Sequence, residues 1–215
     1  MLSFIVPAHN EELWIGKCLQ SIRTTMEKVG EPYEVIVVDD ASTDSTHQIA
    51  HQMRVRTLQV EHRKISAVRN AGARVASGSV FFFVDADTQV NERAVSAALS
   101  IMRAGAAGGG CLFGLSGPLP LWGRMIHSLA LIPGRMFRYA GGCFLFCTRD
   151  AYRATGGFSE RLYAGEDLAF IEALKKVGRF VVPKPMVVTS GRKFAVVGPW
   201  EVIVLLAKIA VRGPH

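Results

Sequence analysis

The sequence predicts an α/β protein built on a mostly parallel sheet flanked by helices. Three observations carry this. Residues 1–103 alternate short apolar strands with amphipathic helices, the pattern of an open parallel sheet with helices on both faces. Two of the strands, Tyr33–Val38 (YEVIVV) and Val80–Val84 (VFFFV), are almost wholly apolar, as strands covered on both sides must be. Acidic residues follow the strands directly: Asp39-Asp40 after the second, Asp85-Ala86-Asp87 after the fourth, with Glu11 shortly after the first. In such sheets ligands bind beyond the carboxyl ends of the strands.

The elements follow in order. Leu2–Val6 reads as a strand ended by Pro7. Ile15, Cys18, Leu19, Ile22 and Met26 then recur at helical spacing, with Lys17, Gln20 and Arg23 on the other face. After Tyr33–Val38, the cap-rich run Asp39-Asp40-Ala41-Ser42-Thr43-Asp44 opens a helix through Ala50. Arg56–Val60 is a third strand, and Ile65, Val68, Gly72 and Val75 mark the next helix. Val80–Val84 is the fourth strand, followed by a helix with Ala94, Val95, Ala98, Leu99 and Met102 inward. The second half breaks the rhythm. Residues 104–118 are glycine-rich, residues 119–139 mix apolar, aromatic and arginine residues, and Gly142–Cys147 reads as a strand. Gly156-Gly157-Phe158 reads as a turn, and Glu166-Asp167 opens a helix with Leu168, Ile171, Leu174 and Val177 inward.

With 215 residues and neither a linker nor an internal repeat, the chain reads as one domain, residues 1–103 forming one half and 104–215 the other. Its 49% hydrophobic and 20% charged residues exclude a disordered or collagen-like chain. The net charge of +7 favours an anionic partner without choosing one. Cys18, Cys111, Cys143 and Cys147 lie in apolar surroundings with no CxxC pair, which suits buried, reduced thiols. The N-terminus lacks a basic signal-peptide region, and the longest apolar run, Val202–Ala207, is too short to span a bilayer, so a cytoplasmic protein is expected. No GxGxxG follows the first strand and no GxxxxGK[ST] occurs, against a dinucleotide dehydrogenase and a P-loop NTPase. His47 and His51 have helical zinc spacing but no third ligand nearby, and read as a solvated face. Aromatic and basic residues do not interleave on the strands, against nucleic-acid stacking.

The acidic turns carry the chemistry. Two carboxylates two residues apart on extended chain point the same way, so Asp85 and Asp87 suit a divalent cation that also bridges phosphates. The plainer alternative is a solvated pair capping the next helix through Asp87 or Asn91. Asp39, at a strand end, could accept a hydrogen bond from a nucleobase N–H, whereas capping accounts more readily for Ser42, Thr43 or Asp44. In Pro7-Ala8-His9-Asn10-Glu11-Glu12 a cap with dipole-favoured acids is the alternative to a ligand loop. Lys64 and Arg69, beside a helix start, are rationalised by a bound anion or by a basic solvated face. Glu166-Asp167 is either an electrostatically comfortable helix start or a general base across a pocket.

These stretches, in order, resemble family 2 glycosyltransferases of the GT-A fold: Ser3-Phe4-Ile5-Val6-Pro7-Ala8-His9-Asn10-Glu11-Glu12, Val37-Val38-Asp39-Asp40-Ala41-Ser42-Thr43-Asp44, Arg69-Asn70-Ala71-Gly72, Val84-Asp85-Ala86-Asp87, Gly141-Gly142, Gly156-Gly157-Phe158 and Gly165-Glu166-Asp167-Leu168. The resemblance implies a single-domain GT-A-like fold that moves a sugar, with inversion, from a nucleoside-diphosphate donor, most often uridine-linked, to an acceptor hydroxyl. It implies that Pro7, Ala8 and Glu11 line the nucleotide pocket and that Asp39 binds the base. Lys64 would sit near the diphosphate or ribose with Arg69 nearby. Asp85 and Ala86 would contact ribose or sugar, and Asp87, with Asp85, would hold Mn²⁺ or Mg²⁺. Asp167 would be the catalytic base, with Glu166 beside it. Many members carry a late His as a further metal ligand; the comparable stretch Val188-Thr189-Ser190-Gly191-Arg192-Lys193 has none. A nucleotidyltransferase would need a glycine-rich basic loop after the first strand, which Pro7–Glu12 is not. A non-catalytic nucleotide-sugar-binding module would not need Asp85, Asp87 and Asp167 together.

The acceptor is open, a saccharide or a lipid-linked molecule. Residues 119–139 and Trp200–Val211 combine large apolar groups with arginines, which suits either helices in a membrane interface or packing onto the sheet.

Overall fold

The computed structural model describes residues 1–117, 121–162 and 164–192. The N-terminal half alternates as expected: β1 (Leu2–Ala8), α1 (Ile15–Val29), β2 (Tyr33–Asp40), α2 (Thr46–Gln52), β3 (Arg56–Val60), α3 (Ile65–Val75), β4 (Val80–Val84), a short β5 (Thr88–Gln89) and α4 (Glu92–Arg103). The second half adds β6 (Gly108–Gly110), β7 (Phe113–Ser116), α5 (Leu121–Met136), β8 (Phe144–Thr148), α6 (Arg149–Thr155), α7 (Glu166–Val177), β9 (Phe180–Val181) and β10 (Val187–Ser190).

Seven strands form the main sheet in the order β3-β2-β1-β4-β8-β6-β9. The first four run parallel, so their carboxyl ends share one edge. β8 enters antiparallel to both β4 and β6, so both halves of the chain contribute to one sheet. A small second sheet, β5-β10-β7, lies beside the end of β4.

Strand alternation sorts the core into two layers. Phe4, Val6, Val37, Phe82, Val84, Phe144 and Phe146 face α1 and α4, against Ile15, Cys18, Leu19, Ile22, Met26, Ala94, Val95, Ala98, Leu99 and Met102. Ile5, Ile36, Val38, Phe81, Phe83 and Leu145 face α3, α6 and α7, against Val68, Ala71, Ala151, Phe170, Ile171 and Leu174. Gly72 lets α3 lie close on the sheet: a Cβ there would stand 2.5 Å from Ile5 Cγ2 and 2.9 Å from Val38 Cγ2. All four cysteines are buried and free, and burial pushes the Cys111 thiol up to about 12.

Some details differ from expectation. The helix after the second strand starts later, at Thr46, because Asp44 uses Oδ1 to accept the Thr46 N–H at 2.9 Å and so sits outside it. Asn91, not Asp87, caps α4, accepting the Ala94 N–H at 3.0 Å. Val177 is 42% exposed; Phe170 takes the inward place on α7. The glycine-rich stretch holds two strands. β6 needs glycine because it runs against Phe146, Leu145 and Ala140, whose side chains occupy the space a Cβ would take. Leu119, Pro120 and Trp200–Val211 lie outside the described residues. Among the described residues no helix is long and apolar enough to cross a membrane.

Candidate active site

The shared carboxyl edge of β1, β2 and β4 opens into a cleft of about 320 Å³, a size suited to a small organic ligand. β1 and its following turn contribute Pro7, Ala8, His9 and Glu11; β2 contributes Asp40; Arg63, Lys64, Ile65 and Val68 come from the start of α3; Asp85, Ala86 and Asp87 follow β4. Arg192, just past β10, completes the lining. The acidic turns expected to share an edge do so.

The loops after β1 and β2 brace each other. Asn10 Oδ1 accepts the Thr43 N–H at 2.8 Å, and Ser42 Oγ accepts the Asn10 N–H at 3.0 Å. Glu11 donates its N–H to Thr46 Oγ1 at 2.7 Å. Asp39 is buried: Oδ1 accepts the Ser42 N–H at 3.2 Å and Oδ2 lies 3.4 Å from His47 Nδ1. It holds the tight turn in which Ala41 adopts φ 52°, a left-handed conformation that a residue with a Cβ adopts reluctantly. Asp39 is therefore not among the cleft residues, and His47 faces Asp39 rather than solvent alone. Asp40 takes the cleft position instead. Its Oδ1 accepts the His62 N–H at 2.6 Å and the Arg63 N–H at 3.2 Å, and its carbonyl accepts from His9 Nδ1 at 2.7 Å. Because a carbonyl can only accept, the His9 proton sits on Nδ1.

Arg69 differs most from expectation. It does not line the cleft but is 1% exposed behind it. One guanidinium nitrogen donates to Asp85 Oδ1 at 2.8 Å and to the Gly142 carbonyl at 3.2 Å; the other donates to Glu166 Oε1 at 3.0 Å. Burial alone would lower its pKa, but Asp85, Glu166 and Asp167 outweigh that and hold it charged. A buried guanidinium ringed by carboxylates serves as an internal tie, not as an anion site. Glu166 is accordingly committed to Arg69. Asp167 accepts its own helix's Leu168 N–H at 2.8 Å and packs on Gly142, where a Cβ would stand 2.6 Å from Asp167 Oδ2. Through Arg69, the start of α7 is joined to the Asp85 end of the cleft.

The next residue, Asn70, is buried and clamps the Gly156-Gly157-Phe158 turn. It donates to the Phe158 carbonyl at 2.9 Å and to Glu160 at 2.8 Å, while its oxygen accepts the Phe158 N–H at 2.9 Å and the Tyr152 hydroxyl at 2.8 Å. Lys64 reaches the same loop, donating to the Glu160 carbonyl while lining the cleft.

β10 is stitched to the turn after β4. Thr189 donates its hydroxyl to Asp87 Oδ1 at 3.1 Å, and the Ser190 N–H donates to the Asp87 carbonyl at 3.2 Å. Two residues on, the Arg192 guanidinium donates to Glu11 and lies 3.5 Å from Asp87 Oδ2. Partial burial would lower the Arg192 pKa, but Glu11, Asp87 and Asp85 more than reverse this. Local pattern does not mark Arg192 as a site residue; its one signal is its place in the stretch Val188-Thr189-Ser190-Gly191-Arg192-Lys193, which has no His.

The donor set fits a divalent metal in a reduced form. Among the described residues no group of three or more His, Cys, Asp or Glu stands together to cage an ion. Asp85 gives Oδ1 to the buried Arg69, whereas Asp87 is approached by the Thr189 hydroxyl and by the half-exposed Arg192, a partner that can move aside for a metal. One carboxylate completed by substrate phosphates and water is a normal site for Mg²⁺, so Asp87 would hold the metal with the ligand's own oxygens.

The mostly parallel seven-stranded sheet flanked by helices, with a cleft and acidic turns at its carboxyl edge, is a GT-A-like fold. The description "Glycosyl transferase family 2" matches residues 3–147, and the chain belongs to that family. Curated relatives include a poly(ribitol-phosphate) beta-glucosyltransferase of Bacillus spizizenii, 35% identical over 44% of this chain and 16% of its own length. Another is glycosyltransferase GlyA of Streptococcus pneumoniae, 34% identical over 42% of this chain and 13% of its own. The matched stretch is thus a small part of these longer proteins. Among solved structures, S. aureus TarS 1–349 in complex with UDP-GlcNAc aligns with TM-score 0.65 at 22% identity, over 89% of this chain and 58% of that one. The mannosyltransferase PcManGT from Pyrobaculum calidifontis, in complex with GDP-Man and Mn2+, aligns with TM-score 0.69 at 20% identity, over 91% and 59%.

Proposed function

We propose that this glycosyltransferase inverts the sugar of a nucleoside-diphosphate donor, most often uridine-linked in this family, in one displacement onto an acceptor hydroxyl. The observation that carries this is the Arg69 tie, which joins the Asp85 end of the cleft to the Glu166-Asp167 helix start. The nucleoside would lie toward His9, Asp40 and Arg63 and the diphosphate toward Lys64 and Asp87. The acceptor oxygen attacks the anomeric carbon, the bond from that carbon to the diphosphate breaks, and Asp167 takes the hydroxyl proton. A positioned carboxylate contributes about 10²–10⁴-fold in this way. A divalent metal, Mn²⁺ or Mg²⁺, held by Asp87, would supply electrostatic stabilisation of the departing diphosphate. Residues 1–103 would serve mainly the donor and 104–215 the acceptor within one domain.

The acceptor side favours a saccharide or lipid-linked acceptor at a membrane surface rather than a nucleic acid. Met125, Leu129, Ile132 and Met136 recur at helical spacing on α5 and are 65–68% exposed, an unusual cost for a water-facing helix. Between Glu92 and Asp150 the sequence has no Asp or Glu that would oppose an anionic surface. An exposed apolar row in such a stretch suits a membrane interface reached from the cytoplasm.

Incubation with UDP-, GDP- and dTDP-sugars and Mn²⁺ tests the activity. Slow release of the nucleoside diphosphate supports it. Release of pyrophosphate from a triphosphate would favour a nucleotidyltransferase, and binding without turnover under any acceptor would favour a binding module. Co-sedimentation with anionic vesicles at low salt tests the membrane surface; protein left in the supernatant refutes it.

A further inference from the structure

We infer that Arg192 is a donor-binding residue that takes the β-phosphate of the nucleoside diphosphate directly. The inference rests on the donor-site reading above and assigns one contact within it. The cleft has a direction: β2 delimits one end with Asp40 and Arg63, and β4 delimits the other with Asp85–Asp87 and Arg192. The Glu166-Asp167 helix start connects, through Arg69, to the β4 end. The reacting sugar therefore belongs at the β4 end, and the phosphate bonded to it lies beside Arg192.

The charge balance at that end requires a cation. Asp85 is answered by Arg69 from behind, and Asp40 by two backbone amides. Glu11 and Asp87 face the same space, and a diphosphate entering there would meet two carboxylates. Arg192 lies against both. Its Nη2 group is held by Glu11 and Asp87, and with donor the remaining N–H groups of the same planar fork reach phosphate oxygens, a geometry guanidinium matches well. The placement is built rather than incidental, because Thr189 and Ser190 fasten β10 to Asp87 two residues before Arg192. Its side chain is 38% exposed, so it can exchange partners without unpacking the core.

The test measures binding in excess EDTA, so that the chain's own residues are read. Dissociation constants for UDP and UMP, and in parallel GDP and GMP, are determined for the parent, Arg192→Met and Arg192→Lys. Loss of a charge-assisted hydrogen bond predicts that Arg192→Met weakens the diphosphate by roughly ten- to a hundredfold. The monophosphate should change by less than about threefold, and Arg192→Lys should keep much of the diphosphate affinity. Equal diphosphate affinity in the parent and Arg192→Met, or equal loss of mono- and diphosphate, overturns the assignment while leaving the donor site standing. A parent that binds no nucleoside diphosphate, with or without Mn²⁺, overturns the donor-site reading and the Arg192 assignment with it.

Discussion

Replacing Arg69 by Met should destabilise the protein well beyond the usual cost of a single substitution. Met keeps the length and apolar bulk of the stem and removes the cation. The guanidinium makes three hydrogen bonds, at 2.8, 3.0 and 3.2 Å, from a position 1% exposed. Without it Asp85 and Glu166, with side chains 19% and 12% exposed, are left as like charges in a poorly solvated space, and the Gly142 carbonyl loses its donor. Breaking a buried ion pair from one side costs about 3–5 kcal/mol. For a chain of this length each kcal/mol lowers the melting temperature by about 2–4 °C, so a fall of roughly 6–20 °C is expected. Thermal and urea unfolding of the parent, Arg69→Met, Glu166→Gln and the double variant measure it. The double variant should recover part of the loss, because removing one carboxylate relieves the charge left behind. An Arg69→Met protein that melts within about 2 °C of the parent, or a strictly additive double variant, would refute the tie.

Asp167→Asn should keep donor affinity and lower transfer by about 10²-fold or more, since an amide cannot take the acceptor proton; transfer above a tenth of the parent rate removes Asp167 from the base role. Gly142→Ala should also lower transfer, by up to about 10²-fold, through displacement of Asp167; a Cβ there would stand 2.6 Å from its Oδ2, and an unchanged rate in single-turnover assays would show that the carboxylate has room to spare. Glu34 gives a pH test. Partial burial would raise its pKa, but hydrogen bonds from the Ser3 hydroxyl and the Ser77 amide and the charge of Arg56 hold it below the ordinary 4.5. Its contribution is present above pH 4.5 and lost as pH falls through the depressed value, so Glu34→Gln should melt lower than the parent at pH 7 and approach it in acid; parallel melting curves from pH 7 to pH 3 would contradict this.

The strand–helix order of the first 103 residues and the shared acidic edge were legible because both are local properties. Alternation, apolar runs and cap residues are written within a few positions of one another, and parallel connection puts successive strand ends on the same side. β3 and β4 have the bounds that the apolar pattern marks. The glycine run at 108–110 was not legible as a strand, since its reason is Phe146 and Ala140 from other elements. Nor could local pattern choose between Asp39 and Asp40. Both follow the same strand, and the choice depends on His47, Ser42 and the amides of His62 and Arg63. By local pattern Arg69 reads as an anion ligand or as part of a solvated basic face, because a cation near a helix start is uncomfortable by itself. Its comfort comes from Asp85 and Glu166, 16 and 97 positions away. Arg192 meets Glu11 across 181 positions. Sequence shows which charges exist and which strand ends present them; only the folded chain decides which charges neutralise one another and which remain for a ligand, because that depends on distances through space between residues far apart along the chain.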